Sequence, residues 1–143
     1  MRILIADDDP IVRRMLETQL VKWGHEVVTA CDGHEAWEVL QRDDAPPLVI
    51  LDWMMPGIDG ATICRKVRET FPARPTYVLL LTALEQKEDI IEGLEAGAND
   101  YMVKSFNPED LHARIQTGVK YIIEHSFDFY SDETGQETRQ QPC

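Results

Sequence analysis

Six polar residues stand where apolar runs stop. Asp7-Asp8-Asp9 follow Ile3-Leu4-Ile5-Ala6, Asp52 follows Leu48-Val49-Ile50-Leu51, Thr82 follows the apolar run at residues 77–81, and Lys104 follows Tyr101-Met102-Val103. Brought together, they offer several carboxylates, one hydroxyl and one ammonium. Clustered carboxylates repel, and their pKa values rise unless a cation is present. A hard divalent ion resolves that conflict. Mg²⁺ favours one or two carboxylates, several waters and a phosphate oxygen over a full protein cage, and Mn²⁺ takes the same oxygen donors. Asp8 and Asp52 suit direct ligation, with Asp7 alongside or acting through water. Lys104 supplies a point charge for a second phosphate oxygen, and Thr82 a hydroxyl donor for a third. Each equatorial oxygen of a transferring phosphoryl group then has a partner. Asp52 is the natural nucleophile, since carboxylates form aspartyl phosphates. Each residue also has a plain structural reading: Asp9 as a helix cap, Thr82 as a turn residue, Lys104 as a solvated charge. The joint occurrence at four strand ends makes the chemical reading specific.

The elements that position this set follow from the hydrophobic pattern. Asp9-Pro10 reads as an N-cap with Pro at the first helical position. Val12, Leu16, Leu20 and Trp23 continue at helical spacing, and Gly24 closes the helix. Residues 25–30 read as a second strand, Asp32-Gly33 as a turn, and Ala36, Val39 and Leu40 as a short second helix. Residues 48–51 read as a strand buried on both faces, and residues 54–60 as a loop. Ile63, Val67 and Phe71 mark a third helix, residues 77–81 a fourth strand, and residues 84–96 a fourth helix packed through Ile90, Ile91 and Leu94. Residues 101–103 form a fifth strand. Asn107-Pro108 opens a fifth helix striped by Leu111, Ile115, Val119 and Ile122. Five βα units imply a single α/β domain, doubly wound around a five-stranded parallel sheet with helices on both faces. In the order 2-1-3-4-5, functional groups collect beyond the carboxyl ends of the strands, and strands one, three, four and five are neighbours.

Of the 143 residues, 43% are hydrophobic and 28% charged, enough for one core beneath a polar surface. A formal net charge of −12 argues against direct nucleic-acid binding, which needs a basic footprint. No apolar run spans a bilayer. The opening MRILIADDDP has too few apolar residues before its acids for a secretory signal, so a cytoplasmic location is expected. Cys31, Cys64 and Cys143 are odd in number, far apart and outside any metal-ligand spacing, so neither a disulfide nor zinc is expected. From Glu124 onward five acids face a single Arg139 and aliphatics thin out. Residues 1–123 are therefore read as the domain, and 124–143 as a polar acidic tail or the start of a linker.

The stretches ILIADDDP with Arg13, LVILDWMMPGIDG, LLLTA, and AGANDYMVKSF with Pro108 and Leu111 resemble, in the same order, the receiver domain of bacterial two-component response regulators. Asp52, Met55, Pro56, Asp59 and Gly60 form the most specific part of that likeness. The resemblance implies a flavodoxin-like sheet and a phosphoacceptor switch rather than an enzyme with a separate substrate. It implies that Asp52 accepts a phosphoryl group from the phosphohistidine of a sensor histidine kinase or phosphotransfer protein, and also ligates Mg²⁺. Asp7 and Asp8 match the metal-binding acidic pair, and the backbone carbonyl of Met54 matches the third protein ligand. Thr82 and Lys104 match the phosphoryl contacts, and Tyr101 the aromatic residue whose rotamer follows Thr82. The face built by the fourth helix, fifth strand and fifth helix is implied to change its affinity for partners, a second copy of the domain among them. The expected parent is an N-terminal receiver followed by a downstream effector.

One departure stands out. The family has Lys-Pro-Phe after the fifth strand, with the proline following a cis peptide, where this chain has Lys104-Ser105-Phe106. A cis bond before serine costs about 2.5–4 kcal/mol. Three outcomes are open: a trans bond with Lys104 aimed differently, a strained cis bond, or silent tolerance of Ser105. Trp53, Met54 and Leu84 flank Asp52 and Thr82 and are expected to shield an acyl phosphate from water. Two other readings compete with the switch. A metal-dependent phosphohydrolase shares the aspartyl phosphate but needs an acid/base residue, and no His or Glu adjoins Asp52 in sequence. A phosphorylation-independent docking module has no need of the full acid, hydroxyl and ammonium set.

Overall fold

The structure is a computed structural model describing residues 1–83 and 87–134. Alternation along the first strand explains its two-layered core. In β1 (Arg2–Ala6), Ile3 and Ile5 enter one apolar cluster and Leu4 and Ala6 another. β3 (Leu48–Asp52) and β4 (Tyr77–Thr82) repeat the pattern: Leu48, Ile50, Leu79 and Leu81 on one side, Val49, Leu51, Val78 and Leu80 on the other. Period-two alternation with both faces apolar requires helices on both faces. β2 (Glu26–Ala30) and β5 (Asp100–Val103) flank this centre. All pairings are parallel, in the order β2-β1-β3-β4-β5, as the βα pattern implies. α1 (Pro10–Lys22) and α5 (Pro108–Thr134) cover one face through Leu16, Leu20, Leu111, Ile115 and Ile122. α2 (Gly33–Leu40), α3 (Gly60–Thr70) and α4 (Lys87–Glu95) cover the other.

The helix starts differ from the sequence pattern in an instructive way. The side chains of Asp9, Asp32 and Asp59 cap α1, α2 and α3 by accepting from the backbone N–H groups of Ile11, Glu35 and Thr62. Two Asp-Gly pairs read as turn or loop are thus an N-cap followed by the first helical residue. Glycine is needed at both because other backbone lies there. A Cβ on Gly33 would sit 1.9 Å from Ile58 O, and one on Gly60 would sit 2.5 Å from Asp52 O.

α4 corrects an expectation. Ile91 and Leu94, read as core contacts, are 45% and 46% exposed. Gly93 faces inward instead, where a Cβ would meet Leu80 and the Trp53 indole. Seating the helix on its smallest residue turns its aliphatic stripe to solvent. α5 also runs further than expected, its backbone staying helical through Thr134. The side chains of Phe127, Phe129 and Tyr130, and the residues Leu84 and Cys143, lie outside the described residues. Cys31 and Cys64 are free thiols, and burial pushes Cys64 up to about 11. Among the described residues, no helix is long and apolar enough to cross a membrane.

Candidate functional site

Parallel pairing brings the strand ends together. Asp7 follows β1, Asp52 ends β3, Thr82 ends β4, and Lys104 follows β5. Asp7 and Asp52 are almost wholly buried, Thr82 is fully buried, and Asp8 is exposed. Backbone bonds hold each in place. The Asp7 N–H donates to Ala30 O at 3.2 Å, and Arg13 donates to Asp7 O at 2.8 Å. The Asp7 Oδ1 accepts from the Asp9 N–H at 2.9 Å. On the other side of the sheet centre, the Lys104 N–H donates to Thr82 O at 2.8 Å. That bond extends the β4–β5 ladder one residue past Val103.

Lys104 Nζ lies 3.1 Å from Asp52 Oδ2 and 3.4 Å from Asp7 Oδ2. The second distance is an ion pair without hydrogen-bond geometry, so Asp7 Oδ2 is buried without a donor among the described residues. Asp7, Asp8 and Asp52 each offer an oxygen, all within 4.8 Å of one another. Burial, and then the charge of Asp7, push the Asp52 carboxyl from its ordinary 3.8 up to about 7, with Lys104 pulling the other way. Burial alone lowers Lys104, but the hydrogen bond and charge of Asp52, with the charge of Asp7, outweigh it and raise its pKa. Three carboxylates against one ammonium leave excess negative charge in a pocket with an orphaned oxygen. These residues fit a hard divalent cation.

The peptide bonds are trans throughout the described residues, that of Lys104–Ser105 included. Lys104 still reaches both carboxylates, so a trans bond does not carry it elsewhere. The other residues of the predicted set occupy different settings, Leu84 lying outside the described residues. Trp53 is 4% exposed and packs on Gly93 of α4, while Met54 is 65% exposed beside the pocket-bearing strand. Tyr101 is half-buried in β5 against the α2–α4 side of the core. Sequence reasoning missed Arg68, which donates to Gly97 O, Thr76 O and the Asn99 side chain. Its network ties α3 to both β4 and the turn into β5. A lone arginine in an amphipathic helix carries no signal for that role.

Fold and site together define a doubly wound α/β domain with an acidic, cation-fitting pocket at the carboxyl edge of its sheet. Comparison with known proteins makes the class particular. A family model described as the response regulator receiver domain matches residues 3–116, and the chain belongs to that family. The "Probable transcriptional regulator ycf27" of Cyanophora paradoxa is 47% identical over 116 residues, covering 81% of this chain and 47% of the relative. The "Transcriptional regulatory protein AfsQ1" of Streptomyces coelicolor is 41% identical over 118 residues, covering 82% and 51%. The chain thus spans about half the length of these regulators. Among solved structures, the BeF3-activated N-terminal receiver domain of RstA from Klebsiella pneumoniae superposes with a TM-score of 0.76 at 37% identity, covering 82% of this chain and 97% of that one.

Proposed function

We propose that the domain is a phosphoacceptor switch in which Asp52 takes a phosphoryl group from a phosphohistidine. The observation that carries this reading is the pairing of buried Asp52 with Lys104 in a pocket whose remaining acids fit Mg²⁺. An Asp52 oxygen forms the new P–O bond as the donor's P–N bond breaks, and the released imidazole takes up a proton. Asp8, Asp52 and the Met54 carbonyl, with Asp7 beside them, would hold Mg²⁺ or Mn²⁺, which would neutralise charge on the transferred group. Lys104 holds a second phosphoryl oxygen, exchanging its present contact with Asp52 for one with the product. Thr82 donates to a third. Hydrolysis of the acyl phosphate by water resets the switch.

The donor is a sensor histidine kinase or phosphotransfer protein. Ile11 and Met54, 77% and 65% exposed and each within three residues of a site acid, supply apolar rim for its docking. Output runs through α4, β5 and α5. Movement of Thr82 towards the phosphoryl group changes the rotamer preference of Tyr101, whose ring packs against the core, and the surface carrying Ile91 and Leu94 then changes its affinity for an effector or a second copy. Residues 1–123 are the receiver and the segment from 124 leads towards that effector. The location is cytoplasmic, where such kinases present their phosphohistidine. A phosphohydrolase reading is weaker because turnover needs a general acid/base, and no His or Glu adjoins Asp52 in sequence.

Acetyl phosphate or beryllofluoride with Mg²⁺ tests the proposal by intact mass and tryptophan emission. One adduct is expected on the wild type, with none on Asp52→Asn. An adduct that survives Asp52→Asn overturns it, and sustained turnover of a phosphate ester favours the hydrolase.

A further inference from the structure

The loop from Trp53 to Asp59 carries the Met54 carbonyl, and it is held at two places. Its base is fixed near Asp52. The Gly60 N–H donates to Trp53 O at 2.8 Å, and the bare α-carbon of Gly60 lies against Asp52 O. Its apex is fixed by a helix that contributes nothing to the acid cluster. The Gly33 N–H, first in α2, donates to Pro56 O at 3.1 Å. The Gly33 α-carbon sits so close to Ile58 that a built Cβ falls 1.9 Å from its carbonyl oxygen and 2.7 Å from its N and C atoms. One residue on, the His34 ring lies over Gly57, which has φ +85° and whose built Cβ falls 2.6 Å from His34 Cδ2.

The start of α2 is itself locked. Asp32 Oδ1 accepts from the Glu35 N–H at 2.9 Å, and Glu35 Oε1 accepts from the Cys31 N–H at 2.7 Å. These two bonds tie the first turn of the helix to the residues just before it. The same junction reaches the acids from the other side, since Ala30 O accepts the Asp7 N–H. One short stretch, residues 30–34, therefore braces both the β1 acid and the loop after β3.

We infer that Gly33 and His34 are positioning residues for the cation site: they hold the loop at residues 56–58 and thereby set where the Met54 carbonyl stands. The inference rests on the reading of Asp7, Asp8 and Asp52 as the magnesium pocket. Gly33 and His34 touch Pro56, Gly57 and Ile58 rather than Met54 itself, so the effect is expected at the lower end of the roughly 10–100-fold seen when direct partners of metal ligands are removed. Gly33→Ala must push Ile58 away. His34→Ala removes only an exposed ring, so it keeps the fold and tests the same brace more gently.

The experiment has two readouts. Amide exchange on the metal-free full chain reports the loop directly, and calorimetric titration with MgCl₂ reports the pocket. Faster exchange at the Gly57 and Ile58 amides in both variants, with β3 amides unchanged and Mg²⁺ affinity lowered by about tenfold in Gly33→Ala, is the expected result. Gly24→Ala is the control. Gly24 has positive φ, at +92°, and its Cβ would meet nothing, so its substitution destabilises through backbone strain without touching the loop. Loop exchange and affinity both unchanged in Gly33→Ala and His34→Ala overturn the inference. Equal loss of affinity in Gly24→Ala overturns it too, by assigning the effect to stability. Wild type that takes up no Mg²⁺ sinks the reading of the pocket, and the exchange readout still decides whether α2 holds the loop.

Discussion

Lys104 Nζ stands 3.1 Å from Asp52 Oδ2 across the sheet edge, although the peptide bond that follows Lys104 is trans. The cause lies upstream of that bond. The Lys104 N–H donates to Thr82 O, so strand pairing sets its backbone before residue 105 is reached. Ser105 itself is exposed. Ser105→Ala is therefore expected to change the rate of acetyl-phosphate labelling by no more than about twofold, the range of an exposed substitution. Intact-mass time courses measure it.

Lys104 pairs with two of the oxygens that the proposed cation would take. Lys104→Met is expected to tighten Mg²⁺ binding, because one positive charge leaves the pocket, while slowing phosphoryl transfer by roughly 100-fold through loss of a charged contact in the transition state. Calorimetry and labelling kinetics on the same variant separate the two effects. A variant that lost both together would show that Lys104 holds the pocket's shape instead.

The raised Asp52 pKa fixes the sign of a pH effect. Its folded value is about 7 against an ordinary 3.8. Between those values the folded state keeps a proton that the unfolded state has released, so metal-free stability falls as pH rises through that window. Asp52→Asn, which cannot ionise, is expected to melt higher than wild type at pH 8 without divalent cations, with the gap closing towards pH 5. Mg²⁺ needs the carboxylate, so below about pH 7 its binding releases a proton and weakens by roughly tenfold per pH unit. Scanning calorimetry and titrations across pH 5 to 8, with buffers of different ionisation enthalpy, check both.

Gly93 and Trp53 share one space. A Cβ at residue 93 would lie 3.2 Å from the indole Cζ3 and 2.9 Å from Leu80 Cδ1. Gly93→Ala sets an overpacking cost of about 1–3 kcal/mol against a helix-propensity gain of roughly 1 kcal/mol, so a net loss of up to about 2 kcal/mol is expected, with a shift in the emission of Trp53. Urea unfolding with fluorescence detection reads both quantities.

Met54, 65% exposed, is the open neighbour of Asp52, whereas Trp53 is buried beneath α4. On the proposed reading of Asp52, Met54 is the described neighbour placed to shield an acyl phosphate from water. Met54→Ala is expected to speed dephosphorylation a few-fold. Loss of the labelled species followed by intact mass tests this, and an unchanged rate sinks it.

The order of apolar runs, the caps at Asp9 and Asn107, and the polar residues closing four of five runs were enough to read five βα units and the acid, hydroxyl and ammonium set. Those signals are local: alternation, spacing and capping depend on neighbours a few residues away. Tertiary structure decided what depends on surfaces meeting. It turned Ile91 and Leu94 outward, because Gly93 had to meet the indole of a residue forty positions earlier. It made glycine obligatory at 33 and 60 through contact with the backbone of Ile58 and Asp52, where the sequence pattern shows only a turn or loop. It recruited Arg68 to three carbonyl-bearing partners. Above all it aimed Lys104 at Asp52 through a β4–β5 hydrogen bond, a matter that the substitution at Ser105 left open in the sequence. Residue types announce which groups are available for chemistry; the register of distant strands determines which of them touch.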